Sequence, residues 1–191
     1  MTQEEKIAYI AKDLPLIKEI KNAALAEQVA DVWLRTIELS TWDSIAAMPF
    51  SNNFPERSLT EHVNLTTEAA LMMARLMKKY HDIEIDEDEL LAFALIHDVD
   101  KALKYASDGN GGVFVSEMGK QIQHGVMSAM IARDCGMSMK MQHLLITHSP
   151  QQNMKPAYRE GLMFGFVDHC DWEMVINYGK KSSNVTLGKD G

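Results

Sequence analysis

Apolar residues recur along most of the chain at the three- and four-residue spacing of a buried helix face, and strand-like alternation is nearly absent. The pattern predicts two or three helices over residues 3–40, interrupted near Pro15. They close before the run Met48-Pro49-Phe50-Ser51-Asn52-Asn53-Phe54-Pro55, read as a loop because its prolines and asparagines cannot continue a helix. Ser58-Leu59-Thr60-Glu61 has the form of a capping box and opens the next helix. Its expected buried stripe is Leu59, Val63, Thr66, Ala70, Met73, Met77 and Tyr80. Asp86-Glu87-Asp88-Glu89 starts another, with Ile85 and Leu90 placed as a hydrophobic staple. From Leu90 to Ile96 that helix is apolar on every side, which predicts a central position, and it ends in His97-Asp98.

The run Asp108-Gly109-Asn110-Gly111-Gly112 reads as a turn and a candidate lid, and Val113 to Val115 as a brief extended piece. Ser116 then caps a helix expected to run to Gly136; Ser138 starts one that stops at Ser149-Pro150; a last helix spans about Ala157 to Tyr178. The fold class expected is all-α: a single-domain helical bundle with an N-terminal helical extension, residues 1–56. Trp33, Leu34, Ile37 and Trp42 need a surface to bury against, so that extension should pack on the main body. A helical domain over 57–180 and a polar, flexible tail over 181–191 complete the division. No internal repeat is visible.

Composition narrows the functions available. The chain has 191 residues, 46% hydrophobic and 24% charged, with a formal charge of -8. Such an acidic surface opposes long contact with a polyanionic backbone, so no nucleic-acid polymer is expected as partner. The longest apolar run is far short of a membrane span and the first residues lack a basic start before an apolar region, so a cytoplasmic protein without membrane contact is expected. Cys135 and Cys170 are the only cysteines and lie far apart, which excludes a disulfide framework or thiolate zinc site. The clustered Met127, Met130, Met137, Met139 and Met141 are read as core filling.

The informative polar residues are those on apolar faces. His62, the pair His97-Asp98, His124, His148 and Asp168 take one residue or pair from each of five consecutive helices. That ordered set is what a metal centre inside a helix bundle requires. Asp168 lies in a nearly apolar stretch where an unpartnered carboxylate would cost several kcal/mol, so a cation is expected beside it. Gly161 and Gly165 clear bulk from its face, allowing other helices or a ligand to approach. Imidazole and carboxylate together suit borderline cations: iron, manganese, cobalt, nickel or zinc. His81, His143 and His169 fit the pattern less well; His169 is expected to face away from Asp168.

The order H…HD…H…H…D, carried by His62, Ala94-Leu95-Ile96-His97-Asp98-Val99-Asp100-Lys101, His124-Gly125, Thr147-His148-Ser149 and Val167-Asp168, resembles the HD-domain superfamily of metal-dependent phosphohydrolases over roughly residues 57–178. The resemblance implies that His62, His97, Asp98 and Asp168 hold one metal and that Asp98 bridges to a second completed by His124 and His148. It implies two divalent transition-metal ions, iron or manganese foremost, a metal-activated bridging water as nucleophile, and Lys101 beside the attacked phosphate. Asp98 and Lys101 are then the catalytic residues, with Lys101 and Arg57 the substrate contacts. Many relatives carry a small residue at the position of Asp100; an acid there is expected to pair with Lys101 and shorten its reach.

The function implied is hydrolysis of a phosphate ester or anhydride in a small metabolite or nucleotide. Two other classes share the pattern: a di-iron oxygenase similar to the myo-inositol oxygenase group, and a non-catalytic module of the same fold. The partner expected is a small phosphorylated substrate, with a homodimer left open.

Overall fold

The computed structural model describes residues 1–149 and 154–178. Its axis is the helix Glu87–Ile96, in which every residue from Leu90 to Ile96 is buried, as the unbroken apolar run requires. Asp86 caps its start by accepting the Glu89 amide N–H at 3.0 Å. Each large aliphatic side chain buried there contributes about 1.5–3 kcal/mol, so the segment can lie only at the centre.

In chain order, α1 is Gln3–Ile10, followed by a 3-10 turn at Pro15–Glu19 where proline interrupts the helical pattern, and α2 is Ala23–Leu39. A 3-10 turn at Ile45–Ala47 leads into strands β1, Pro49–Ser51, and β2, Phe54–Ser58. Then come α3 (Leu59–His81), α4 (Glu87–Ile96), the short α5 (Lys101–Lys104), and strands β3 (Tyr105–Ser107) and β4 (Val113–Val115). The chain continues through α6 (Glu117–Gln121), α7 (Val126–Asp134), α8 (Met139–Thr147) and α9 (Arg159–Tyr178). The fold is all-α, with two antiparallel hairpins, β1–β2 and β3–β4, as the sheet structure among the described residues.

One buried cluster joins Ile10, Leu14 and Trp33 of the N-terminal segment to Phe93, Leu144 and Phe164. The Trp33 indole N–H donates to the Leu95 carbonyl at 2.9 Å. That carbonyl belongs to the last turn of α4, where no helical amide follows to meet it.

The structure corrects several expectations. The run 48–55 is a hairpin, not a loop: Asn52-Asn53 form its turn, the Phe54 amide donates to the Ser51 hydroxyl at 3.2 Å, and Phe50 is carried into the interior. Ser58 accepts the Glu61 amide at 3.1 Å, but no reciprocal bond from the Glu61 side chain forms; Ser58 also ends β2, paired with Pro49. The buried stripe of α3 stops at Ala74; Met73 and Tyr80 are exposed and Met77 is half-buried. An apolar groove remains between α3 and α9, lined by Leu65, Met73, Met77, Met163 and Phe166.

The single helix expected from Ser116 to Gly136 is broken between Gln121 and Val126. Gly125 has φ +81°, and a Cβ there would lie 2.5 Å from the Leu145 carbonyl oxygen, so the chain turns sharply where α8 passes. His124 sits in that break rather than on a helix. Residues 108–112 form the tip of the β3–β4 hairpin, where one Asp108 carboxylate oxygen accepts the amides of Asn110 and Gly112, both at 2.8 Å. Of the clustered methionines, Met137 and Met141 are core, whereas Met130 and Met139 are exposed. The final helix begins two residues later than expected, at Arg159, and the tail expected over 181–191 and the stop at Pro150 lie outside the described residues.

Candidate metal centre

The C-terminal end of α4 delivers His97 and Asp98 into a tight turn, so both side chains enter the interior together and are fully buried. Ser128 of α7 holds this turn: its hydroxyl donates to the His97 carbonyl and accepts the Asp100 amide, each at 3.2 Å. His62 arrives from α3, His124 from the break before α7, His148 from the end of α8 and Asp168 from α9. Gly161 permits the close approach of α8, since a Cβ there would sit 2.9 Å from the Leu144 side chain, whereas a Cβ at Gly165 would make an ordinary 3.4 Å contact with the His148 carbonyl.

Asp98 is the hub. Its Oδ2 lies 3.0 Å from His62 Nε2 and 3.3 Å from His97 Nε2, while its Oδ1 lies 3.0 Å from His124 Nε2 and 3.6 Å from His148 Nε2. Asp168 Oδ1 joins the first group, 3.2 Å from His62 Nε2 and 3.7 Å from His97 Nε2. One carboxylate thus faces two ligand groups, His62-His97-Asp98 and Asp98-His124-His148, each able to hold a metal ion.

The other nitrogens of these rings decide what the cluster wants. His97 Nδ1 is 2.8 Å from the Ala94 carbonyl and His148 Nδ1 2.7 Å from the Leu145 carbonyl; a carbonyl only accepts, so both Nδ1 atoms carry the proton. His62 Nδ1 donates to Asp171 at 2.6 Å, and His124 Nδ1 to Asp100 at 3.1 Å. In the neutral rings every Nε2 is therefore a lone pair. Yet His62 and His97 set theirs 3.0 Å apart, and His124 and His148 theirs 3.1 Å apart. Facing lone pairs at that distance, around a buried Asp98 oxygen that makes no well-aligned hydrogen bond, fit a cation between them.

Protons are the substitute. Burial lowers the affinity of His97 for a proton, but the charges of Asp98 and Asp168 outweigh it and push its pKa up to about 10. His124 is raised to about 9, burial again being overcome, here by Asp100 and Asp98. Against their own burial, Lys101 and the imidazoles hold Asp98 well below the usual carboxylate range, and His62 and His97 do the same for Asp168.

A pocket of about 310 Å³ opens onto Asp98, His124 and Asp168. Lys101, Lys104, Tyr105, Ser149, His169 and Trp172 complete its wall. Burial beside Asp98 and Asp100 pushes the Tyr105 phenol up to about 12, so it stays protonated. His169 was expected to face away; it stands at the rim, half-exposed and 3.8 Å from Glu173. His143 is used elsewhere, accepting the Ala157 amide at 3.0 Å, and His81 is exposed at the end of α3.

One expected pairing is replaced, and one expected substrate contact has a protein partner. Asp100 does not pair with Lys101: it accepts the Gly125 amide at 2.7 Å and His124 Nδ1, while Lys101 Nζ lies 2.6 Å from Asp98 Oδ2 and 4.0 Å from the centre of the Phe50 ring. Arg57 is not among the residues lining the pocket. Its guanidinium holds both oxygens of Asp171, at 2.9 and 2.8 Å, and covers Phe50.

Sequence reasoning missed Asp171, Ser128, Phe50 and Trp172. Asp171 was within reach, because it stands one helical turn after Asp168 and shares its face. Phe50 was hidden in an expected loop; its ring packs 4.7 Å from that of His62 and 5.5 Å from that of Trp172.

Over 104 residues the chain is 32% identical to dihydroneopterin 2',3'-cyclic phosphate phosphodiesterase of Methanocaldococcus jannaschii. The similarity is to a phosphodiesterase. It covers 46% of this chain and 42% of that protein, so the chain spans less than half the length of the relative it matches. No family model matches the chain. No solved structure matches it. Among the described residues no helix is long and apolar enough to cross a membrane.

Proposed function

We propose that this chain is a metal-dependent phosphohydrolase of HD-domain type that cleaves a phosphate ester or anhydride in a small metabolite or nucleotide. The observation that carries the reading is the convergence of four histidine Nε2 atoms on the two oxygens of Asp98, at the floor of a pocket that also presents Lys101 and Lys104. The similarity to a phosphodiesterase supports hydrolysis over oxygen chemistry on the same ligand pattern.

His62, His97, Asp98 and Asp168 would hold one divalent transition metal, and Asp98, His124 and His148 a second, with iron or manganese foremost. When bound, the pair would supply Lewis acidity toward phosphoryl oxygens and lower the pKa of a bridging water. The remaining work falls to side chains of the pocket. Lys101 and Lys104 bring positive charge to a phosphate that the acidic surface would otherwise repel. Tyr105 remains a proton donor throughout the physiological range. Trp172 offers a flat wall, and the pocket volume suits one small substrate rather than a polymer. Because the relative's name specifies a 2',3'-cyclic phosphate, small phosphodiesters are the substrate class to try first.

The test is metal analysis of the purified chain with a screen of cyclic and linear phosphodiesters, phosphomonoesters and nucleotides, repeated on Asp98→Ala. The expected result is about two transition-metal ions per chain and turnover of a phosphate ester, both lost in the variant because Asp98 serves both ligand groups. Turnover by a metal-free Asp98→Ala protein would overturn the mechanism. Oxygen consumption by the iron-loaded chain, with no phosphate release from any compound, would favour the oxygenase.

A further inference from the structure

Each histidine of the cluster is aimed by an acceptor on its Nδ1, and these acceptors differ in kind. For His97 and His148 they are backbone carbonyls three residues earlier, Ala94 and Leu145, which the helix ends supply without any side chain. For His62 and His124 they are carboxylates outside the ligand set, Asp171 and Asp100. Both carboxylates are buried and both are themselves held: Asp171 by the paired bonds from Arg57, Asp100 by the Gly125 amide. The carboxylate-aimed histidines fall one in each ligand group.

We infer that Asp171 and Asp100 are positioning residues, each controlling one metal position: Asp171 through His62 for the first, Asp100 through His124 for the second. The inference rests on the reading of the cluster as a metal centre and goes beyond it, since neither carboxylate belongs to the ligand groups. A carboxylate on Nδ1 fixes the tautomer with the lone pair on Nε2, locks the ring plane and makes Nε2 more basic. Arg57 belongs to the same device, because its Nη2 reaches both oxygens of Asp171 and adds a charge-assisted hold on that carboxylate. This gives Arg57 a role in a chain of contacts, Arg57 to Asp171 to His62, in place of direct contact with substrate. It also explains why an acid at position 100 leaves Lys101 unhindered: the carboxyl group points at His124.

The test is titration of the metal-stripped full chain with Co²⁺, followed by its visible absorption and by competition with a chelator. His62→Ala and His124→Ala assign the two binding steps. Asp171→Ala should weaken only the step assigned to His62, by about 10- to 100-fold, and Asp100→Ala only the step assigned to His124 by a similar factor. Asp171→Asn and Asp100→Asn keep the shape and an acceptor oxygen but lose the charge, and should weaken the same steps by about tenfold. If either alanine variant fails to fold, its asparagine counterpart decides. Unchanged affinity in the folded variants, or equal weakening of both steps by either one, overturns the assignment. Absence of Co²⁺ uptake by the unmodified chain overturns the metal-centre reading itself, a different result.

Discussion

His62 and His97 meet Nε2 to Nε2 at 3.0 Å while their Nδ1 protons point in opposite directions, to the Asp171 carboxylate and the Ala94 carbonyl. The contact joins consecutive helices, α3 near its start and α4 at its end, across 35 residues of chain. It is tolerable only with a positive charge between or on the rings, because both neutral imidazoles would present lone pairs. Protons and a metal ion would therefore compete for one place.

That competition gives a pH dependence of definite sign. In the metal-free chain His97 and His124 are raised to about 10 and about 9, above the value of about 6.5 expected when unfolded. Their contribution to stability is complete below that unfolded value and is lost as pH rises through the folded ones. The melting temperature of metal-stripped protein should fall between pH 7 and 10. Metal binding releases the protons, so the increment in melting temperature on adding Co²⁺ or Mn²⁺ should grow over the lower part of that range. Thermal melts at several pH values, with chelator or metal, check both slopes; a metal-free melting temperature that climbs toward pH 10 contradicts the account.

On the proposed function, Lys101 would compete with metal for Asp98 Oδ2, from which its ammonium is 2.6 Å away, and from the pocket wall it would face a bound phosphate. Replacing it should therefore move two quantities in opposite directions. Lys101→Met is expected to bind metal as tightly as the parent or more tightly, while turnover falls by about 10²- to 10³-fold, the scale for removing one group that stabilises developing charge. Metal titration and steady-state kinetics on the same sample separate the effects.

Gly125→Ala tests the break that presents His124. The φ of +81° and the 2.5 Å approach to the Leu145 carbonyl leave no space for a Cβ. The variant should lose about 1–3 kcal/mol of stability from strain alone. Since His124 immediately precedes the strained residue, the second metal step should also weaken while the first persists. Urea unfolding and the two-step titration provide the measurements.

Trp33→Phe keeps the apolar bulk under α4 and removes the indole donor to the Leu95 carbonyl. That carbonyl is then buried without a partner, at a cost of about 1–3 kcal/mol. Because Leu95 precedes His97 by two residues, the variant also asks how firmly the N-terminal helices hold the metal-binding turn. Destabilisation in urea with the metal stoichiometry of the folded protein unchanged is the expected outcome.

The helices themselves were legible because their causes are local. Asp86 before a charged first turn, seven consecutive apolar residues from Leu90 to Ile96, and Ser138 before the α8 pattern act within a few residues of chain. The candidate ligands were legible for a related reason: a histidine or aspartate on an apolar face is conspicuous in sequence. What sequence could not show was anything depending on two segments at once. The hairpin at Pro49–Ser58 places Phe50 against His62, and Gly125 at the break packs against the Leu145 carbonyl of α8; each contact joins two separate segments.

Sequence by itself determined the helical class, the central helix and a histidine-carboxylate set in place of a thiolate one, because burial patterns and donor chemistry are properties of residues in order. Tertiary structure decided that Asp98 divides its two oxygens between two pairs of imidazoles, that Asp100 serves His124 and not Lys101, and that Arg57 is spent on Asp171. Those are matters of direction and of distances near 3 Å. They are fixed only when five separated segments pack into one core and each buried polar group must find its partner there.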